Sequence, residues 1–367
     1  EEALTSKKMY DAMDLCVSCK GCKRECPTGV DMAKMKVEFL DHYHQKYGLS
    51  FRERMIAYLP RYAATAKKLS FLLNLRDQIP GVAKLTERLT GFTARRRLPE
   101  WQRDQYIPSH HSSCVSKLSG EKDVVFLADT FNSCFEPDNA RAAHAVLLAA
   151  GYNVISPEAA DNDRPLCCGR TFFSAGLLAE ARTEAERVIA SLKPYVERGV
   201  PIIGIEPSCL LTLRDEFISL IPGEASQALS DNAFLLEEFL AREANDGKLN
   251  LPLKSIQASQ VLLHGHCHQK AFAGMPAVQQ VLALIPDLKV DTIESGCCGM
   301  AGSFGYEVEH YDVSIKMAEL DLFPAIRKAD ELTLIVADGT SCRSQIKHGT
   351  DRGAMHVAKV LEMALDV

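Results

Sequence analysis

Residues 201–209 read "PIIGIEPSC" and residues 332–342 read "LTLIVADGTSC". In both, a short β-branched run gives way to a polar turn and then a cysteine. Such a run predicts a buried strand with the cysteine just past its C-terminal end. In open α/β sheets, sites assemble at those strand ends. Further strands are predicted at "VVFLAD" (124–129), which precedes Cys134, and "YNVISP" (152–157), which precedes "CCGR" (167–170). The same order returns in "VLLHGHC" (261–267) and in "LKVDTI" (288–293), which precedes "CCGM" (297–300). Helical stretches separate them: from Asp138, from about Gly176 to Arg198, from Pro276, and through "EVEHYDVSIKMAELDLF" at 307–323. The alternation indicates two copies of an α/β unit with largely parallel strands. The spacing agrees: Cys134 to Cys209 and Cys267 to Cys342 are both 75 positions apart.

Each copy is therefore expected to gather four sulfurs. The sets are Cys134, Cys167, Cys168 and Cys209, then Cys267, Cys297, Cys298 and Cys342. Adjacent residues on a strand point to opposite faces. Two neighbouring cysteines address one site only where the chain turns sharply, which Gly169 and Gly299 permit. Their expected occupant is a metal group, either a cluster or zinc. In "HGHCHQK", His264, His266 and His268 surround Cys267, and His266 and His268 are taken as accessory residues, His268 with a ligand-adjacent or proton-handling role. Cys114 has no partner spacing. "GMAGSFG" after Cys298 lacks the G-x-G-x-x-G order of a nucleotide fingerprint. No catalytic residue can be named.

Upstream lies "CVSCKGCKRECPTGV", from Cys16 to Val30. C-x2-C-x2-C-x3-C-P is an iron–sulfur spacing in which the first three cysteines wrap one 4Fe-4S cubane and the fourth ligates another cluster. Zinc is the alternative, although its sites usually pair two cysteines with a distant second pair. Cys16, Cys19, Cys22 and Cys26 are the expected cofactor ligands, with Lys20, Lys23 and Arg24 moderating the cluster's charge. "TSKKMYDAMDL" and "DMAKMKVEFLDHYHQKYG" predict helices on either side, the second capped by Asp31 and stopped near Gly48.

The expected architecture is α+β and multidomain. A helical, ferredoxin-like cluster domain spans 1–50 and a basic helical connector spans 51–118. The α/β cysteine-rich domains span 119–255 and 256–367. Between Ser50 and Ile107 stand 12 Lys/Arg against 5 Asp/Glu. This segment reads as a solvated face or as a docking surface for an acidic partner or a membrane. Thirteen cysteines in a chain of 367 residues without a secretory signal indicate reduced, metal-holding thiolates. The net charge of −6 argues against general nucleic-acid binding. "LSFLLNL" from Leu69 is too short to span a membrane. Glu1 reads as a cut inside a longer protein.

Together, "DLCVSCKGCKRECPTGVDMAKMK", "HGHCHQK" and the CCG repeats resemble the C-terminal iron–sulfur part of fused FAD-linked 2-hydroxyacid dehydrogenases of the D-2-hydroxyglutarate or D-lactate type. The iron–sulfur subunits of glycolate oxidase and anaerobic glycerol-3-phosphate dehydrogenase carry similar domains, as does the cysteine-rich subunit of heterodisulfide reductase. The resemblance implies an oxidoreductase's electron-transfer module. FAD would lie in an upstream domain or a flavoprotein subunit, and a quinone or other acceptor would take the electrons. It implies a cytoplasmic location, at the inner face of the membrane, and a companion cysteine motif upstream of Glu1 that supplies the loop cluster's fourth thiolate. Two other readings stand beside it: a CCG site itself catalytic in thiol–disulfide or acceptor reduction, and a zinc-bound assembly scaffold. The chain departs from heterodisulfide reductase, where each module ends in C-x-x-C. Thr212 and Gln345 stand in the last positions here.

Overall fold

The computed structural model describes residues 5–106, 120, 122–161 and 163–366. Cys114 lies outside them. Among these residues, eight short strands form two four-stranded sheets, all of whose pairings are parallel. In the first, β1 (Asp123–Phe126), β2 (Asn153–Ile155), β3 (Ile202–Gly204) and β4 (Ala233–Leu235) are ordered β2-β1-β3-β4. In the second, β5 (Gln260–Leu263), β6 (Lys289–Thr292), β7 (Leu334–Val336) and β8 (Ala354–Met355) are ordered β6-β5-β7-β8. The expected repeat of parallel α/β units is thus present. β4 and β8, of three and two residues, are too short for any alternating pattern in the sequence to show.

Each sheet runs outward to one side of its first strand, then returns to the other. This creates a topological switch point between β1 and β3, and between β5 and β7. The cysteine-bearing turns open there.

One apolar core joins the repeats. Phe126, Val146, Leu147, Phe239 and Leu240 of the first pack with Val261, Val278, Val281, Val360 and Leu361 of the second. Helix Pro137–Ala149 lies against Val357–Ala364, and Leu236–Asn245 against Met275–Leu282. These pairs exchange the equivalent helices of the two units, as an approximate two-fold relation requires. Separate clusters cover the outer sheet faces. Polar ties cross the same boundary. The buried Arg343 pairs with Glu136 at 2.5 Å, and His356 Nε2 donates to Ile205 O at 2.9 Å.

Residues 5–50 are helical wherever they are regular. Helix Lys7–Asp14 is capped by Ser6, and Met32–Tyr47 is capped by Asp31 and ends at Gly48, as the sequence predicts. Four helices follow between Phe51 and Thr90. Their basic character is not all solvated. Arg96 is buried, donating to Gln345 Oε1 at 2.5 Å and lying 2.9 Å from Met300 Sδ. Arg95 and Arg97 are exposed, and Arg95 stacks over Tyr311. The "ARRR" run is therefore partly a structural tie to the second repeat. A sequence reading cannot see this, because burial of an arginine depends on the amide that receives it.

Both CCG glycines take the left-handed conformation, with φ of 74° at Gly169 and 83° at Gly299. A Cβ at Gly299 would also stand 2.5 Å from Ser314 O. Gly299→Ala is expected to destabilise the protein by about 1–3 kcal/mol, measured by chemical denaturation. An unchanged denaturation midpoint would show that the turn tolerates a side chain.

Candidate metal centres

The N-terminal loop is held by a lysine. Lys20, only 1% exposed, reaches into the first repeat. Its Nζ lies 2.6 Å from Asp215, 2.9 Å from Glu216 and 3.3 Å from Asp31. Lys23 and Lys34 also reach Asp215, at 3.0 and 2.9 Å. Burial opposes the charge on Lys20, but Glu216 and Asp215 more than offset it and raise its pKa. Burial likewise opposes the Asp215 carboxylate, and the three ammonium groups nonetheless hold it well below the usual carboxylate range. Lys20 and Lys23 thus anchor the loop, a role the sequence reading did not include, and Arg24 pairs with the exposed Glu25.

The loop's cysteines divide three to one. Cys19, its thiol pKa raised by burial, has Cys267, Cys16 and Cys22 as electrostatic neighbours. Cys22 Sγ accepts from Met32 N at 3.4 Å, and Lys36 Nζ donates to Cys16 O at 2.7 Å. Cys26 stands apart, 3.1 Å from Thr28 Oγ1. That hydroxyl, with the N–H groups of Val30 and Thr28, pulls its thiol down to about 7.

In the second repeat the four expected cysteines meet. Thiol hydrogen bonds link Cys267 to Cys297, Cys297 to Cys298, and Cys298 to Cys342. Lys270 lies beside all four; its Nζ donates to Ser295 O at 2.5 Å. Gly339 leaves room between two site residues, since a Cβ there would stand 2.4 Å from His266 and 3.3 Å from Cys342 Sγ. His264, which the sequence pattern does not single out, lies with Cys298 and Cys342 so that their ligand atoms fall within 4.8 Å of one another.

The first repeat differs. Cys168 hydrogen-bonds to Cys167 and Cys209. Cys134 does not join them. It packs with Ala63 and Phe135 in another apolar cluster. The equal 75-residue spacings mislead. Helix Cys267–Ala271 begins with its cysteine after the cap residue His266, whereas helix Thr130–Cys134, capped by Asp129, ends with its cysteine. Thr130 occupies the place of Cys267, and Cys134 lies a full helical turn further on. Two carboxylates stand here instead. Burial and Glu206 push Asp129 up to about 6. Glu206 caps helix Pro207–Arg214 and also accepts from Thr340 N, at 3.0 Å, where the helix carrying Cys342 begins. The three sulfurs and both carboxylates line a cleft of about 470 Å³, counting its open mouth.

The charges around the two sets differ in part. Lys270 and Arg170 act on the second set, Asp129 lies at the first, and Glu206 reaches Cys209 and Cys342 alike, while Arg170 also lines the first cleft. An anionic, thiolate-held group fits the second set. In both sets, hydrogen bonds between the thiols and burial raise the thiol pKa values, and Asp129 and Glu206 add to this at Cys209.

His268 joins the loop to the second set. Its Nε2 lies 3.2 Å from Ser18 O and 3.5 Å from an Arg170 nitrogen. A carbonyl can only accept, so Nε2 carries the proton and the arginine contact is secondary. Burial and then Arg170 push the pKa of His268 far down, and burial also takes His266 down to about 3. Both rings are neutral at pH 7. His268 is placed as a tether and His266 as the helix cap, its Nδ1 accepting from His268 N at 3.2 Å. Arg170, after the first CCG, also binds Glu216 at 2.8 Å. It therefore connects the lysine anchor to this junction.

These features define the class, a cysteine-rich α/β repeat protein with a helical cysteine loop docked on it. Residues 261–347 match the family model described as CCG, cysteine-rich domain. Along most of its length the chain is similar to D-2-hydroxyglutarate dehydrogenase of Escherichia coli K12, at 25% identity over 97% of this chain and 34% of that protein. It is also similar to one subunit of the anaerobic glycerol-3-phosphate dehydrogenase of Escherichia coli K12, at 25% over 86% of this chain and 78% of that one. The probable glycolate oxidase iron–sulfur subunit of Bacillus subtilis is 25% identical over 95% of this chain and 82% of its own. The relation read from the cysteine motifs is the one these comparisons return. The chain spans about a third of the length of the D-2-hydroxyglutarate dehydrogenases.

The buried ammonium generates a test. Lys20→Met is expected to cost about 3 kcal/mol at pH 7, because it leaves buried carboxylates short of a partner. Asp215 has a depressed pKa, so its stabilisation is present above the ordinary carboxylate pKa of about 4 and is lost as pH falls through the folded value. The gap between variant and wild type should therefore shrink in acid. Equal denaturation midpoints at pH 7 would contradict the anchoring role.

Proposed function

We propose that this chain is the iron–sulfur electron-transfer module of a flavin-dependent 2-hydroxyacid dehydrogenase, working between a flavin and a quinone or similar acceptor. The observation that carries the reading is the junction of two cysteine sites: Cys19 beside Cys267, with Ser18 O bonded to His268. Cys16, Cys19 and Cys22 would hold one cluster. Cys267, Cys297, Cys298 and Cys342 would hold a second metal group. Clusters bound there supply one-electron carriage. The chain's own residues would fix the two sites side by side, bury Cys298 and Cys342, and set their charge, through Arg170 and Lys270 above all. Cys26, turned away beside Thr28, is free to serve another group. The FAD would belong to a preceding domain or a partner flavoprotein, as the fused and separate relatives suggest. The alternatives, a catalytic CCG site and a zinc scaffold, have no comparable observation behind them.

Protein purified without oxygen should contain iron and acid-labile sulfide. Cys19→Ser should remove a paramagnetic signal that Cys26→Ser leaves in place. Zinc without sulfide would overturn the reading, and loss of one shared signal in both variants would overturn the three-to-one division.

A peripheral membrane contact belongs to the same proposal. Among the described residues no helix is long and apolar enough to cross a membrane. Phe71 and Leu72 are nonetheless 62% and 61% exposed, and Leu85 and Leu89 are 58% and 70% exposed. Lys68, Lys84 and Arg88 are exposed nearby. Apolar side chains interleaved with cations suit an anionic lipid surface. The protein should float with anionic vesicles, and Leu72→Glu with Leu89→Glu should abolish this. Flotation unaffected by both changes would remove the patch from the account.

A further inference from the structure

We propose that His264 is a ligand, through Nε2, of the metal group held by the second cysteine set, which makes that site a mixed nitrogen–sulfur centre. The inference rests on the reading of this set as a metal site and names a donor that the cysteine pattern does not include.

His264 stands at the C-terminal end of β5, where the chain leaves the sheet at the switch point. Its backbone N–H donates to Val336 O at 2.8 Å and fixes it between β5 and β7. The side chain is 1% exposed. Nδ1 lies 3.0 Å from Ser295 Oγ, which also receives Lys270 Nζ at 3.3 Å. Nε2 is buried with no hydrogen-bond partner. Buried polar atoms are nearly always satisfied, so an orphan here calls for an occupant. The sulfurs of Cys298 and Cys342 lie within 4.8 Å of a ring nitrogen of His264, and since Nδ1 is taken by Ser295, Nε2 is the donor left for a metal. With Nδ1–H donating to Ser295, Nε2 presents its lone pair. Metal-bound histidines commonly show this arrangement, the second nitrogen being held by a hydrogen bond. The other two histidines of "HGHCHQK" are used otherwise: His266 Nδ1 caps its helix and His268 Nε2 binds Ser18 O.

A neutral imidazole adds no negative charge to the centre, and imidazole in place of thiolate raises a cluster's potential. The test uses the whole chain grown with 15N-histidine. Pulsed electron paramagnetic resonance of the second-site signal should show the strong coupling of a directly bonded ring nitrogen. The coupling should be absent in His264→Ala and retained in His268→Gln. His264→Cys guards against simple misfolding, because it should keep the metal, lose the nitrogen coupling and lower the midpoint potential. Only weak coupling in the wild type, or strong coupling that survives His264→Ala, would overturn the assignment. If metal analysis finds zinc, the iron–sulfur reading fails but the ligand is still read. X-ray absorption at zinc should then lose one nitrogen scatterer in His264→Ala, and an unchanged shell would overturn the proposal.

Discussion

One buried ammonium governs how the cysteine sites meet. Lys20 cannot remain charged inside the protein without the carboxylates of Asp215, Glu216 and Asp31, and those carboxylates are equally costly to bury without it. The mutual requirement fixes the loop on the first repeat. Glu216 also receives Arg170, and Arg170 stands beside His268. Through this short chain of charges, loop, first repeat and second repeat adopt one arrangement. Cys19 is set beside Cys267 as a result, although 248 residues separate them in sequence.

The repeats share a topology and a core but have diverged where chemistry would occur. The second set has four linked sulfurs, an imidazole and two nearby cations. The first has three sulfurs and a cleft lined also by Asp129, Glu206 and Arg170. A single turn of helix makes much of the difference, since it carries Cys134 away from the strand ends and into contact with Ala63 and Phe135. Glu206 couples the two sites mechanically by binding the start of both helices that carry the last cysteine of each set.

Much of this was legible in the sequence. Strand runs ending in cysteine fixed the parallel repeat, and Gly169 and Gly299 announced the turns that let paired cysteines share a site. Asp31 and Gly48 marked helix ends by local chemistry. The rest depended on distant partners. Equal spacings could not reveal that Cys134 and Cys267 occupy different ends of equivalent helices, because compensating loop lengths hide the shift. Lys20 and Arg96 looked like solvent charges until the groups that bury them were known. His264 was hidden among three histidines, and only the absence of a partner for its Nε2 distinguishes it.

The claim that two metal groups sit side by side across the Ser18–His268 contact is most directly tested by magnetic interaction. In the reduced protein, the loop cluster and the second-repeat centre should show mutual spin–spin broadening in electron paramagnetic resonance. Removing the loop cluster with Cys16→Ser should collapse the remaining signal to that of an isolated centre. Two sharp, independent signals in the fully loaded protein, each unaffected by loss of the other, would contradict the account.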